Sequence, residues 1–232
     1  DFPFERCALV FWAEEKRHAY REFLEEAGFK EDMKMYSFTH DLSAFPENIP
    51  DPGMRRLYGE TDPVSEGTDE KEETPGDACF TVQAEDGCEY PVTIRKIDIL
   101  DPAVRKAYLK ANGLGFGIPH SEDGLVFRAL KWGAEVYACV TGQDEKLRIL
   151  SAVTVWPEKP DGAATEDIFC IPGFRRCHLT SRLLLAVLKR LKEAGVHNAG
   201  MNAYSQNIPA ISLYEKLGYK KAGTLVSLIH ED

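Results

Sequence analysis

The chain has 232 residues, 44% of them hydrophobic, enough to bury one full core and a small second one. Against 28 Lys and Arg stand 38 Asp and Glu, a net charge of −10 that argues against nucleic-acid binding, which needs clustered cations to neutralise phosphates. No run of about 18 apolar residues argues for a membrane span, and Asp1-Phe2-Pro3-Phe4 lacks the basic and apolar regions of a signal peptide, so a cytoplasmic location is the expectation.

Residues 1–44 read as strand, helix, strand. Ala8-Leu9-Val10-Phe11-Trp12 is a continuous apolar run, Ala19, Phe23 and Ala27 recur at helical spacing before Gly28, and Met35 to Thr39 is extended. Residues 45–77 hold prolines and an acidic run, Glu60 to Glu73, with little apolar content after Tyr58, which reads as a linker. Much of the excess negative charge sits there.

Residues 78–232 read as one α/β domain of mixed α+β type. Two extended runs flank Asp86-Gly87, a hairpin turn. Asp101-Pro102 opens a helix through about Ala111, with Asp at the N-cap and Pro at N1. Gly113-x-Gly115-x-Gly117 comes next and reads as a mobile lid. Strands are expected over 135–140, 147–155 and 167–171, the last stopping at Pro172. Leu179, Leu183, Val187, Leu191 and Ala194 then fall on one face of a long helix that ends at Gly195. A strand over 199–204, a short helix over 209–217 and closing strands over 222–229 complete the chain. Strands alternating with helices require a parallel crossover around the 179–194 helix.

Cys7, Cys79, Cys88, Cys139, Cys170 and Cys177 are scattered, with no C-x-x-C pair and no His at finger spacing. Reduced, packed thiols are expected, and no metal site.

The stretch from Ile168 to Tyr219 is the most specific. It runs strand, Phe174-Arg175-Arg176, long helix, strand, then Asn207-x-x-Ala210-x-x-Leu213-Tyr214-x-x-x-Gly218-Tyr219. That order resembles the acyl-CoA-binding half of the GNAT superfamily of N-acetyltransferases. The resemblance implies a twisted mixed sheet flanked by helices, acetyl-CoA as co-substrate and direct transfer of an acetyl group to a primary amine of a small molecule or peptide. A non-catalytic CoA-sensing or scaffold module of the same fold is the alternative, because the phosphate loop departs from the family pattern. That pattern is Arg/Gln-x-x-Gly-x-Gly/Ala, where this chain has Arg175-Arg176-Cys177-His178-Leu179-Thr180, with side chains at both small positions.

By the same resemblance, Arg175, Arg176, Cys177, His178, Leu179, Thr180 and Ser181 form the pyrophosphate turn at a helix N-terminus, where free N–H groups and the positive dipole end suit an anion. Thr180 or Ser181 could equally be a helix cap. Cys170 and Ile171 supply main-chain groups to the pantetheine arm between splayed strands, and Asn207 lies near the cofactor, or caps the helix before Ile208-Pro209. Tyr214 matches the tyrosine that protonates the departing thiolate; the plainer reading is a half-buried helix aromatic. Glu166 is the candidate general base, with Asp167 beside it, or both are solvated loop carboxylates. His120 and Glu122 lie where relatives hold the acceptor. Exposed closing strands leave room for a homodimer.

An ungapped offset of 190 places Phe23 to Lys30 over Leu213 to Lys220 and Trp12-Ala13 over Asn202-Ala203, so residues 1–44 resemble a second copy of the closing half of such a domain. In that copy Arg17 faces Asn207 and Leu24 faces Tyr214, which implies lost chemistry. About 40 residues cannot hold a core alone, so this unit is expected to dock on the larger domain.

Overall fold

A computed structural model describes residues 8–45, 78–118, 120–158 and 161–231. The acidic segment 46–77 lies outside them. The fold is mixed α/β, with nine strands and five α-helices among the described residues. It divides into two compact units, Asp1–Asp41 with Gly200–Asp232, and Leu42–Ala199.

In the second unit β3 (Ala78–Gln83), β4 (Glu89–Ile97), β5 (Glu135–Thr141), β6 (Arg148–Glu158) and β7 (Gly162–Cys170) pair in sequence, each antiparallel to the next. The β3–β4 hairpin turns at Asp86-Gly87, where Asp86 Oδ1 accepts the Cys88 N–H at 2.9 Å. Helix α2 (Pro102–Phe116) starts as its sequence requires: Asp101 Oδ1 accepts the N–H groups of Ala103 and Val104, satisfying two donors that a helix start leaves open.

Two expectations are corrected by these elements. The glycine run is helical, because α2 continues through Gly113 and Gly115. At Gly115 a Cβ would meet the Phe169 side chain at 2.8 Å, so glycine lets the helix press onto β7. No helix was expected after the glycine run, but Glu122–Trp132 forms one, α3, capped by Ser121 Oγ on the Gly124 N–H.

Helix α4 (Leu179–Glu193) buries Leu179, Leu183, Leu184, Val187 and Leu188 against β5, β6 and β7. Each such leucine contributes roughly 1.5–3 kcal/mol relative to exposure. The crossover it forms ends beside its start: the His197 N–H, just before β8 (Asn198–Tyr204), donates to Asp161 O, just before β7, at 2.9 Å. β7 is longer than expected and begins at Gly162, so Glu166 and Asp167 lie inside the strand and not at its start. The small residues 162–165 had concealed its first half.

The first unit contains β1 (Ala8–Glu14), α1 (His18–Glu26), β2 (Lys30–Asp41), the body of β8, α5 (Ile208–Lys216) and β9 (Lys220–Glu231). Its strands lie in the order β1-β9-β2-β8. β1, α1 and β2 begin at 8, 18 and 30, and β8, α5 and β9 begin at 198, 208 and 220, with the same lengths. The backbone repeats in detail. Residue Arg17 before α1 has φ −86° and ψ 66°, and Asn207 before α5 has φ −83° and ψ 64°. Glu15 N–H donates to Thr224 O at 2.9 Å, and Ser205 N–H to Lys34 O at 2.8 Å.

The antiparallel β2–β9 ladder maps onto itself under the same exchange, Lys30 facing Ile229 and Thr39 facing Lys220. Gly28 (φ 90°) lies under the ring of His230, and Gly218 (φ 95°) under that of His40, each glycine supplying a left-handed residue after its helix. The side chains differ where the core demands it. α1 packs on the sheet through Leu24, clustered with Ala13, Leu228 and Phe29, whereas Phe23, on the periodic apolar face, is 64% exposed. A nine-residue helix on a sheet has room for one central contact, and Leu24 takes it.

No helix among the described residues is long and apolar enough to cross a membrane, and no group of three or more His, Cys, Asp or Glu there could hold a metal ion.

Candidate functional site

The candidate residues fall in both units. In the second, the turn from Pro172 into α4 reverses the chain with two non-glycine residues at positive φ, Arg176 at 63° and His178 at 59°. His178 occupies the first small position of the family pattern and keeps the left-handed backbone that glycine favours. That conformation costs a residue with a Cβ roughly 1–2 kcal/mol.

The strained turn delivers the chain directly into a helix start. His178 stands at the N-cap of α4 and makes no capping side-chain bond, so the first turn of this amphipathic helix opens without a protein acceptor from its cap residue. Neither Thr180 nor Ser181 is the cap. Thr180 Oγ1 instead meets Ser151 Oγ at 3.2 Å, and Ser151 Oγ donates to Phe169 O at 2.7 Å, locking α4 to β6 and β7. The His178 Nε2 atom is buried without a hydrogen-bond partner among the described residues.

The two arginines differ. Arg175 is a strut, its Nε donating to Cys170 O at 3.4 Å and its Nη2 to Gly115 O at 3.3 Å. Arg176 is exposed and makes no side-chain hydrogen bond or ion pair with any described residue. Leu179 is buried in the core, so only its main chain is open to a ligand.

At the end of β7, Ile171 N–H donates to Leu150 O at 2.9 Å and Ile171 O accepts the Phe174 N–H at 3.2 Å. The Ile171 N–H is therefore already paired within the unit. Cys170 Sγ donates to Phe174 O at 3.4 Å, and burial pushes its thiol up to about 12. Cys177 Sγ donates to Gln83 O at 3.2 Å, and burial, then the charge of Glu85, raises its thiol too. Neither sulfur has the paired base that an acyl carrier needs.

β7 is bent midway. Thr154 faces Glu166 and Ala152 faces Phe169, so Val153 opposes two residues, and Asp167 takes φ 50° in the resulting bulge. The Asp167 carboxylate is 14% exposed and accepts Arg128 Nη1 at 2.7 Å; the His120 ring Nδ1 lies 3.7 Å away. Arg128 Nη2 is 3.4 Å from the same His120 nitrogen. The His120 backbone is anchored by the fully buried Asn112, whose Oδ1 accepts its N–H at 2.9 Å. Glu166, half-buried, precedes this cluster on the strand. Glu122 does not join it: its carboxylate pairs with Arg105 Nε at 2.8 Å, tying α3 to α2.

In the first unit, Asn207 Oδ1 accepts the Ala210 N–H at 3.3 Å, so the residue does cap α5. Tyr214 is 5% exposed, its ring edge-on to Phe38 at 6.0 Å and tilted to Tyr219 at 6.1 Å. Its hydroxyl has no hydrogen-bond partner among the described residues. Burial pushes the phenol up to about 12, so it holds its proton at neutral pH.

Second-unit residues thus group around two foci, the α4 turn and the β7 bulge. The sequence reading missed Arg128, because α3 was not recognised. Ser121 with Glu122 and Asp123 after it, and Gly133 at the far end, were the available cap signals.

A family model described as the acetyltransferase (GNAT) family matches residues 103–219. Among solved structures, a GCN5-related N-acetyltransferase from Sphaerobacter thermophilus is similar, with a TM-score of 0.64 and 12% identity over 97% of this chain and 60% of that one. A GCN5-related N-acetyltransferase from Kribbella flavida gives a TM-score of 0.57 at 13% identity, covering 95% and 67%. A tandem GNAT protein from the clavulanic acid biosynthesis pathway gives 0.57 at 15% identity, covering 97% and 64%. These identities speak for the fold alone, and the chain spans about 60% of the length of the Sphaerobacter protein. No curated protein matches the sequence.

Proposed function

Because the chain belongs to the GNAT acetyltransferase family, we propose that it moves an acetyl group from acetyl-CoA directly to a primary amine. The observation that supports this most is the α4 turn. A left-handed backbone at His178 presents an uncapped helix start, with Arg176 unpaired and a buried His178 Nε2 without a partner among the described residues. Such a cradle suits the pyrophosphate of a CoA thioester.

On this reading Arg176 and the N–H groups of Leu179, Thr180 and Ser181 bind phosphate oxygens. Arg175 and Cys177 shape the turn, while Cys170 and the second lone pair of the Ile171 carbonyl meet the pantetheine arm. Asn207 has its carboxamide nitrogen left for the cofactor after capping α5.

The amine nitrogen attacks the thioester carbonyl and forms the C–N bond as the C–S bond breaks. Glu166 takes the proton from the amine, and Tyr214 gives one to the departing thiolate. His120 stands on the acceptor side with Arg128 and Asp167, whereas the Arg105 pair makes Glu122 a structural residue. Residues 78–232 form the acetyltransferase domain, 45–77 a linker, and 1–44 a partial copy without the chemistry, since Leu24 stands where Tyr214 does. The protein acts in the cytoplasm without metal or nucleic acid, and a homodimer is compatible with the exposed strands.

Acetyl-CoA consumption, followed as free thiol with and without primary amines, tests the reading. Thiol release that requires an amine and falls in Arg176→Ala is the expected result. Release of equal rate without amine, or none with any amine, would count against it.

A further inference from the structure

The β7 bulge is surrounded by aromatic rings that the proposed chemistry does not use. Phe116 stacks on His120, with centroids 5.4 Å apart and planes at 13°, and meets Phe169 edge-on at 5.8 Å. On the other side of Arg128, whose guanidinium carbon lies 6.0 Å from the Trp156 ring centroid, Trp156 contacts Trp132 at 5.8 Å, and Trp132 contacts Phe127 at 6.0 Å. The rings therefore form two clusters, one on each side of Arg128, which reaches His120 at 3.4 Å and Trp156 at 6.0 Å. Phe116, Phe127 and Trp132 are 48%, 52% and 50% exposed. Leaving that much aromatic surface in water is unfavourable, and a monomer seldom does so in one contiguous patch.

Two of the carboxylates near these rings are already paired. Arg128 neutralises Asp167 at 2.7 Å, and Arg105 neutralises Glu122 at 2.8 Å. A polyamine or an amino sugar would need several carboxylates free to meet its cations or hydroxyls, and these two are committed. The π faces beside a neutralised pair favour instead a flat apolar body that carries one amine.

We propose that the acceptor is a primary amine on an aromatic body, held against Phe116, His120 and Trp156 with its nitrogen toward the β7 bulge. This rests on the acetyl-transfer reading and narrows its acceptor.

Initial rates of thiol release are to be compared for phenethylamine and tryptamine against spermidine and glucosamine, with acetyl-CoA affinity measured separately by calorimetry. The aromatic amines should show kcat/KM at least about tenfold above the others. Phe116→Ala should raise their KM at least about fivefold with acetyl-CoA affinity unchanged. Trp156→Leu, which keeps an apolar side chain in place should Trp156→Ala not fold, should do the same. Spermidine or glucosamine turned over as well as the aromatic amines would overturn the proposal. So would variants with unaltered KM, or acetyl-CoA binding without turnover of any aromatic amine. A protein that does not bind acetyl-CoA at all would remove the acetyl-transfer reading itself, which keeps the two failures apart.

Discussion

Replacing Tyr214 by Phe isolates a single hydroxyl. The ring remains between Phe38 and Tyr219, and the oxygen it loses has no hydrogen-bond partner among the described residues, so stability should change by less than about 1 kcal/mol. Catalysis should respond differently. A positioned general acid contributes typically about 10²–10⁴-fold, and at about 1.36 kcal/mol per decade the lower bound is a barrier increase of about 2.7 kcal/mol.

The assay is single-turnover thiol release at saturating acetyl-CoA and amine, so that product departure does not mask the chemical step. We expect a fall of at least about a hundredfold with acetyl-CoA affinity within about twofold of the parent. Because burial holds the phenol near 12, the parent should show no loss of rate from tyrosine ionisation between pH 8 and about 10. Tyr214→Leu reproduces the residue at the equivalent place in α1, Leu24, which is buried and accommodated, so it should fold and be equally slow. A Tyr214→Phe enzyme of undiminished single-turnover rate would refute the role.

His178→Gly removes a left-handed strain of roughly 1–2 kcal/mol, while glycine's extra freedom in the unfolded chain takes back about 0.5–1 kcal/mol. Urea unfolding should therefore shift by no more than about 1 kcal/mol, and calorimetry should find acetyl-CoA bound severalfold tighter; weaker binding would make the imidazole a contact. Alkaline stability should fall as phenols whose pKa the fold raises ionise, two of them buried and Tyr137 half-buried. Tyr108, Tyr137 and Tyr214 are each raised from 10 to about 12, with burial the first cause, so unfolded tyrosines ionise while folded ones do not. Their stabilisation is complete below pH 10 and is lost as pH rises towards 12. Urea midpoints should be level from about pH 8 to 9.5 and decline above about 10, and a level profile to about pH 11 would contradict the raised pKa of these phenols.

Much of the fold was legible because local signals agreed with tertiary demand. Asp101-Pro102 opens α2, Asn207 opens α5, and the Leu179/Leu183/Val187 face identifies α4 within a residue of its ends. What was missed depended on long-range contact. Gly113 and Gly115 read as part of a mobile lid, yet the helix passes through both, and at Gly115 the missing Cβ leaves room for Phe169.

The face of α1 was misread for a similar reason. Periodicity favoured Phe23, but a short helix on a sheet is anchored by whichever side chain lies over the centre, here Leu24. In the candidate site, the Arg175-to-Ser181 turn could be placed by spacing, whereas the division of labour between Arg175 and Arg176 could not. It depends on Gly115 O and Cys170 O, 60 and 5 residues away in sequence. The Arg128–Asp167 pair required both the unrecognised α3 and a bulge in β7 that no residue pattern announced.

Calorimetric titration with acetyl-CoA and with S-acetylpantetheine, which lacks the pyrophosphate, tests the α4 turn as an anion cradle. Acetyl-CoA should bind one to one and at least about tenfold tighter, a difference of about 1.4 kcal/mol that Arg176→Ala reduces. Equal affinities for the two thioesters, or no acetyl-CoA binding at millimolar concentration, would contradict it.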